Sequence, residues 1–321
     1  MNKFSLLVLL LFLIQAYCKY TKYDGSKLIS LSYSPNLSYD ATERVCIENF
    51  SQEMISYYSW FASYGYCEDS EIPVFCCANH AEFFTGRWEI ISESSTSKYF
   101  TYNYVLWRSD EYKKYILAFP GTRNDAKELL SEAVNIKMVK YNNDGVKVAN
   151  YFYKVMLEIK EILFTNQVLQ DINNHPGYQF IVTGHSLGGA VASVVLYDAV
   201  KSNYINPSLN EPVMITYGQP RTGNEKYVKD FNSKIPNYFR VVRDGDLVAS
   251  IPVYTLFNPF KHQGGLILLN KEMTSMNYCP LDIGENYPDE ECTKSLSLDT
   301  DHHVYYFNPE IHFSERCSPN K

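Results

Sequence analysis

The sequence predicts an α/β fold with a mostly parallel central sheet and helices on both faces. Three observations predict it. The apolar runs "KYILAF", "YQFIVTG", "PVMITY" and "YFRVVR" alternate with helical patterns. One of these runs ends in a glycine-flanked turn and passes directly into a run of small residues, "HSLGGAVAS". Finally, the chain has 321 residues and 45% hydrophobic content, enough for one large core or at most two domains.

The chain opens with "MNKFSLLVLLLFLIQAYCKY". Lys3 supplies a positive start, and residues 4–14 are an apolar run too short to span a bilayer. This reads as a secretory signal peptide over residues 1–18, with cleavage after Ala16 or after Cys18. No later segment is long and apolar enough to be a membrane span. The mature protein is expected to be secreted or lumenal. Residues 19–45 are polar and tyrosine-rich and read as a surface arm, and residues 46–321 as a single domain.

From Cys46 the pattern turns helical, with Phe50, Ile55, Tyr58, Phe61 and Ala62 recurring at helical spacing. Residues 76–112 read as short strands and turns. A buried strand follows over residues 115–119, ending at Pro120-Gly121. Residues 147–172 predict one long amphipathic helix, with Val148, Phe152, Val155, Met156, Ile159, Ile162 and Leu163 on its apolar face. His175-Pro176-Gly177 closes it. Then come a strand, a helix over residues 187–202, a strand at "PVMITYGQP", a helical stretch and a strand at "YFRVVRDGD".

The net charge of −7 and the absence of a long basic run exclude a nucleic-acid binder. The 28 tyrosines suit half-buried positions in a broad sheet or a wet cleft without choosing between them. Beyond the leader lie Cys46, Cys67, Cys76, Cys77, Cys279, Cys292 and Cys317. Retaining Cys18 would make an even set of eight. The cysteines lack paired C-x-x-C spacing and have no neighbouring histidine pair, so the expectation is disulfides and no metal. Sequons at Asn36 and Asn49 fit the same compartment.

The chemistry centres on Ser186. Gly184-His185-Ser186-Leu187-Gly188 has a strand before it and a helix after it. That context makes G-x-S-x-G a nucleophile elbow. The serine stands on a tight turn over the C-terminal edge of the sheet, and the glycines remove side chains that would collide there. Gly189, Ala190 and Ala192 let the helix lie close to the sheet. A plain N-cap serine beside packing glycines is the competing reading.

A serine hydroxyl needs a base within hydrogen-bond reach, and the base needs an anion to orient it. In this arrangement the chain order is serine, acid, histidine. Asp244 and Asp246 both lie at a strand end, although Asp-Gly is also a turn signal. His262, His302, His303 and His312 remain for the base.

The segments "ILAFPGT", "VTGHSLGGA", "ITYGQPRTGN", "RVVRDGDLVASIP" and "HHVYYF" resemble, in order, those of the class 3 lipases. This is the fungal-type triacylglycerol lipase and feruloyl esterase group of the α/β-hydrolase superfamily. The resemblance spans about residues 115 to 307 and implies the α/β-hydrolase fold. It places the acid before an Ile/Leu-Val pair with proline soon after, which selects Asp246, and the base directly before "VYYF", which selects His303. It also implies an oxyanion hole from the amides of Thr122 and Leu187, the latter following the nucleophile. Pro120 stands where the family usually has arginine.

The resemblance further implies a serine ester hydrolase without cofactor. It would act as a lipase on acylglycerols or phospholipids. A feruloyl-type esterase and an inactive lipid-binding homologue are the alternatives. A lid is implied over residues 123–136, where Ala126, Leu129, Leu130, Ala133 and Val134 share a possible face with Arg123, Asp125, Lys127, Glu128 and Glu132 around them. It lacks the family's frequent tryptophan, so an ordinary surface helix is an equal reading. Cys279 with Cys292, Cys67 with Cys76 or Cys77, and a link from the N-terminal region to Cys317 are the expected bridges.

Overall fold

The computed structural model describes residues 58–59, 61–62, 87–94, 103–121, 136–252, 259–279 and 301–306. The leader, the polar arm, both sequons, Thr122, residues 123–135 and every cysteine except Cys279 lie outside the described residues.

In chain order the strands are β1 (Glu89–Ser94), β2 (Tyr104–Ser109), β3 (Lys114–Phe119), β4 (Met138–Lys140), β5 (Lys147–Ala149), β6 (Gln179–His185), β7 (Val213–Tyr217), β8 (Asn237–Arg243), β9 (Gly265–Leu269) and β10 (Met276–Cys279). Eight of them form one sheet, ordered β1-β2-β3-β6-β7-β8-β9-β10. The five strands from β3 to β9 pair in parallel, and antiparallel hairpins extend both ends. Strands β4 and β5 pair separately.

All residues of β3, β6 and β7 are buried, as expected for central parallel strands covered on both faces. Along β3, Tyr115, Leu117 and Phe119 join one core and Ile116 and Ala118 the other. The first core is closed by helices α1 (Asn150–Leu163), α3 (Leu187–Lys201) and α5 (Glu225–Lys234). The second is closed by Tyr58, Phe61 and Ala62, all buried and helical, with Phe61 edge-on to Trp107 at 5.2 Å. Helix α3 is buried over almost its whole length, which its run of glycine, alanine and valine permits.

The structure corrects one expectation. Residues 147–172 are not one helix: β5 takes the start, and α1 ends at Leu163 before α2 (Asn166–Asn174). Phe164 leaves the helical conformation, and the Thr165 hydroxyl accepts from the Val168 amide, capping a new helix. Val148 is buried in β5 and Ile162 is solvent-exposed, so neither belongs to the buried stripe, which is Phe152, Val155, Met156, Ile159 and Leu163. Strands β9 and β10 and the short helices α4 (Pro207–Asn210) and α6 (Asp301–Val304) are additions to the sequence reading.

The tyrosines give the fold an alkaline limit. Burial pushes the Tyr217, Tyr227 and Tyr306 phenols well above their ordinary range. Burial and hydrogen bonds to Asp198 and Asp230 do the same for Tyr141 and Tyr197. In the unfolded chain all five would ionise near pH ~10. Above that pH the unfolded state releases protons that the fold retains, so stability falls as pH rises. Each such tyrosine contributes about 1.4 kcal/mol of loss per pH unit. Urea unfolding midpoints should therefore be flat from pH 8 to 9.5 and drop steeply toward pH 11; a flat profile throughout would contradict this burial.

Candidate active site

The site lies at the C-terminal edge of the parallel strands. Ser186 follows β6 directly and has φ +55° and ψ −129°, a conformation L-residues rarely adopt. Its amide donates to the Tyr217 carbonyl at 2.8 Å, and its own carbonyl accepts from Gly189 N–H at 3.1 Å. The turn is thus fixed on both sides. A Cβ on Gly184 would lie 2.8 Å from the Gly188 backbone, and one on Gly188 would lie 2.1 Å from the Pro120 carbonyl oxygen. Both glycines of the motif are needed for close backbone approach.

The contact of Gly188 with Phe119 and Pro120 has a second effect. It presses the end of β3 against the first turn of α3. Leu187 is the first residue of that helix, so its amide is among those left without an intrahelical acceptor. The corner expected to supply the second amide begins at Pro120-Gly121; Thr122 itself lies outside the described residues.

Asp246 sits just past β8. Its amide bonds to the Arg243 carbonyl at 3.0 Å across a turn that places Gly245 at φ +95°. The aspartate is buried and surrounded by donors. Oδ1 accepts from the amides of Val248 at 2.9 Å and Ala249 at 3.3 Å, opening a 3₁₀ turn over Val248–Ser250. Oδ2 accepts from the Tyr306 hydroxyl at 3.3 Å. His303 Nδ1 stands 3.1 Å from Oδ1 and 3.0 Å from Oδ2. A carboxylate so placed holds the ring proton on Nδ1 and leaves Nε2 with its lone pair. Burial and the charge of Asp246 push the Tyr306 phenol upward, so it remains a donor.

His303 is carried on α6. Arg243 donates to the carbonyls of Asp301 and Tyr305, and His302 Nδ1 donates to the Asp244 carbonyl at 2.6 Å. The two readings left open by residue type alone thus separate. Asp246 and His303 face each other, while Asp244 and His302 form a brace beside them. His262 turns to the Ala249 carbonyl at 2.8 Å, and His312 lies outside the described residues.

Ser186 and His303 are joined through His185, whose ring lies 4.6 Å from that of His303. Ser186 Oγ and His303 Nε2 are both buried, and neither has a hydrogen-bond partner among the described residues. Buried polar atoms without partners are costly in a settled fold, and these two belong to a serine and a histidine that both lie against His185 at the same strand end. Among the described residues no group of His, Cys, Asp or Glu is placed to hold a metal ion.

Known proteins share sequence and fold with this chain. Residues 116–256 match the family model of the class 3 lipases. Over that stretch the chain is similar to the class 3 lipases. Among curated relatives, a lipase of Caenorhabditis elegans is 29% identical over 45% of this chain, a match covering 39% of that protein. A lipase of Rhizopus niveus is 27% identical over 87% of this chain and 69% of its own length. Among solved structures is a triacylglycerol lipase whose catalytic centre is formed by a serine protease triad. It superposes with a TM-score of 0.68 at 26% identity, covering 84% of this chain and 98% of that one. The α/β-hydrolase fold expected from the sequence is therefore the fold observed.

Three residues that position this candidate site carried no separate signal in the sequence: Gly218, Arg243 and Tyr306. Gly218 has φ +56°, and a Cβ there would lie 2.8 Å from both Asp246 Oδ2 and His303 Nδ1. Its place just after a strand, in "TYGQP", is the cue that could have found it.

Proposed function

We propose that the protein is a secreted serine ester hydrolase, a lipase that cleaves acylglycerols or phospholipids through Ser186, His303 and Asp246. The observation that carries this reading is the pairing of an elbow serine at positive φ with a buried histidine whose Nδ1 faces a carboxylate. Ser186 Oγ attacks the ester carbonyl as His303 Nε2 takes its proton. Asp246 holds the imidazole and stabilises its cation. The amides of Leu187 and Thr122 receive the oxyanion. His303 then protonates the leaving alcohol, and a water activated by His303 releases the acid.

The similarity to a triacylglycerol lipase with such a triad supports the substrate class. The leader over residues 1–18 supports export. No described helix is long and apolar enough to cross a membrane. Ser186 is buried, so access of an ester to it is restricted. The segment 123–136, with its mixture of apolar and charged residues, is proposed for contact with the lipid surface.

The test is hydrolysis of p-nitrophenyl esters from acetate to palmitate, below and above the concentration at which each aggregates, with a p-nitrophenyl phosphonate to trap the nucleophile. Turnover with phosphonylation mapped to Ser186 is expected, and a rate rise at aggregation marks lipase action. Smooth preference for short soluble esters would favour the esterase alternative. No turnover and no labelling of the folded protein would sink the hydrolase reading.

A further inference from the structure

His185 stands between Ser186 and Gly184 in the elbow, where its side chain takes no part in the acyl-transfer steps. It is nonetheless buried, 2% exposed, and it contacts the base directly. Its Nε2 lies 2.8 Å from the carbonyl oxygen of His303. A carbonyl only accepts, so Nε2 carries the proton and donates. The two imidazole rings lie 4.6 Å apart at 37°, and the Tyr306 ring stands edge-on to His185 at 6.2 Å.

We propose that His185 is a positioning residue that sets the reach of His303 toward Ser186. The base is carried on α6, a helix too short to hold itself. Arg243 and His302 brace the carbonyls of Asp301, Tyr305 and Asp244. The hydrogen bond on the carbonyl of His303 itself comes from His185. Asp246 fixes the rotation of the ring at Nδ1, and the bare α-carbon of Gly218 and the ring of His185 lie against it.

The tie matters because of where it is anchored. His185 belongs to β6 and adjoins the nucleophile, whose amide is pinned to Tyr217. The bond therefore refers the base to the same rigid strand end that carries Ser186. Without it, Asp246 would still hold the ring and Arg243 the ends of α6, but both act from the end of β8, and this link to the elbow would be lost. A shift near ~1 Å at a reacting group costs on the order of 10²-fold in rate.

The inference rests on the triad reading, and the experiment separates the two. His185→Gln and His185→Met are close in shape, but only glutamine offers an N–H at the position of Nε2. With a soluble short-chain ester, H185M should lose about 10- to 100-fold in kcat with KM within about twofold, while H185Q recovers to within about threefold of wild type. Equal losses in both variants, or wild-type kcat in H185M, would overturn the inference. Melting temperatures are measured alongside. If H185M is unfolded at the assay temperature, H185F takes its place, since it keeps a flat ring without the donor. It should show the same loss in kcat, and a wild-type rate in H185F overturns the proposal. A wild-type protein that hydrolyses no ester and takes no phosphonate label fails at the triad reading instead.

Discussion

Replacing Ser186 with alanine should lower kcat for ester hydrolysis by about 10⁶-fold, to the residue supplied by substrate binding and the oxyanion amides. The size of the effect follows from the site's construction. The hydroxyl is buried, has no partner among the described residues, and stands on a turn held by the Tyr217 carbonyl and by Gly189 N–H. No hydrogen bond to the described residues is lost in the substitution, and alanine must adopt the same φ of +55° that serine tolerates. The variant should therefore melt close to the wild-type temperature while failing to turn over. Retained activity in S186A would require another nucleophile and would end the elbow reading.

Asp246→Asn should cost about 10⁴-fold in kcat, and the reason lies in which way the amide turns. The carboxylate accepts from four donors: the Val248 and Ala249 amides, the Tyr306 hydroxyl and His303 Nδ1. Asparagine has one carbonyl oxygen. The backbone amides cannot change from donor to acceptor, so they claim it. The NH₂ group then faces Tyr306, whose hydroxyl can rotate to accept, and His303 Nδ1. To accept from that NH₂, His303 must move its proton to Nε2, the atom that has to receive the proton of Ser186. The variant keeps its fold and loses its base. Steady-state kinetics and the rate of phosphonate labelling should fall together; unchanged labelling would show that Asp246 does not set the tautomer.

The elbow was legible in the sequence because all its determinants are neighbours. Gly184, Ser186 and Gly188, the apolar strand before them and the small residues after them lie in one short stretch. The acid and base were legible only in outline. Residue type left Asp244 beside Asp246 and His302 beside His303, and the resemblance chose between them. The structure gives the physical reason: Gly245 at positive φ turns Asp246 inward, and His302 is used against the Asp244 carbonyl.

Contacts between distant parts of the chain were not legible. The strand-end position of Gly218 marks a special glycine but not that His303 packs against it, and nothing local marks Tyr306 as a donor to Asp246. The single helix expected over residues 147–172 failed for a different reason. Its apolar periodicity continues through Phe164, while the break depends on one threonine cap that a periodicity count does not weigh.

The tie between His185 and His303 closes a loop of 118 residues, and that between Asp246 and His303 one of 57. The parallel pairing of β3 with β6 needs nothing beyond residue 184, whereas both ties to the base need residue 303 and must close their loops before the contact returns any gain. A growing chain can therefore place Ser186 on its strand long before a general base exists. Until residue 303 has been synthesised and docked beside β8, the serine is an alcohol without a proton acceptor. Under the proposed mechanism hydrolytic power arrives with the docking of α6, so regained turnover in a refolding experiment should time that docking while far-UV ellipticity times the sheet.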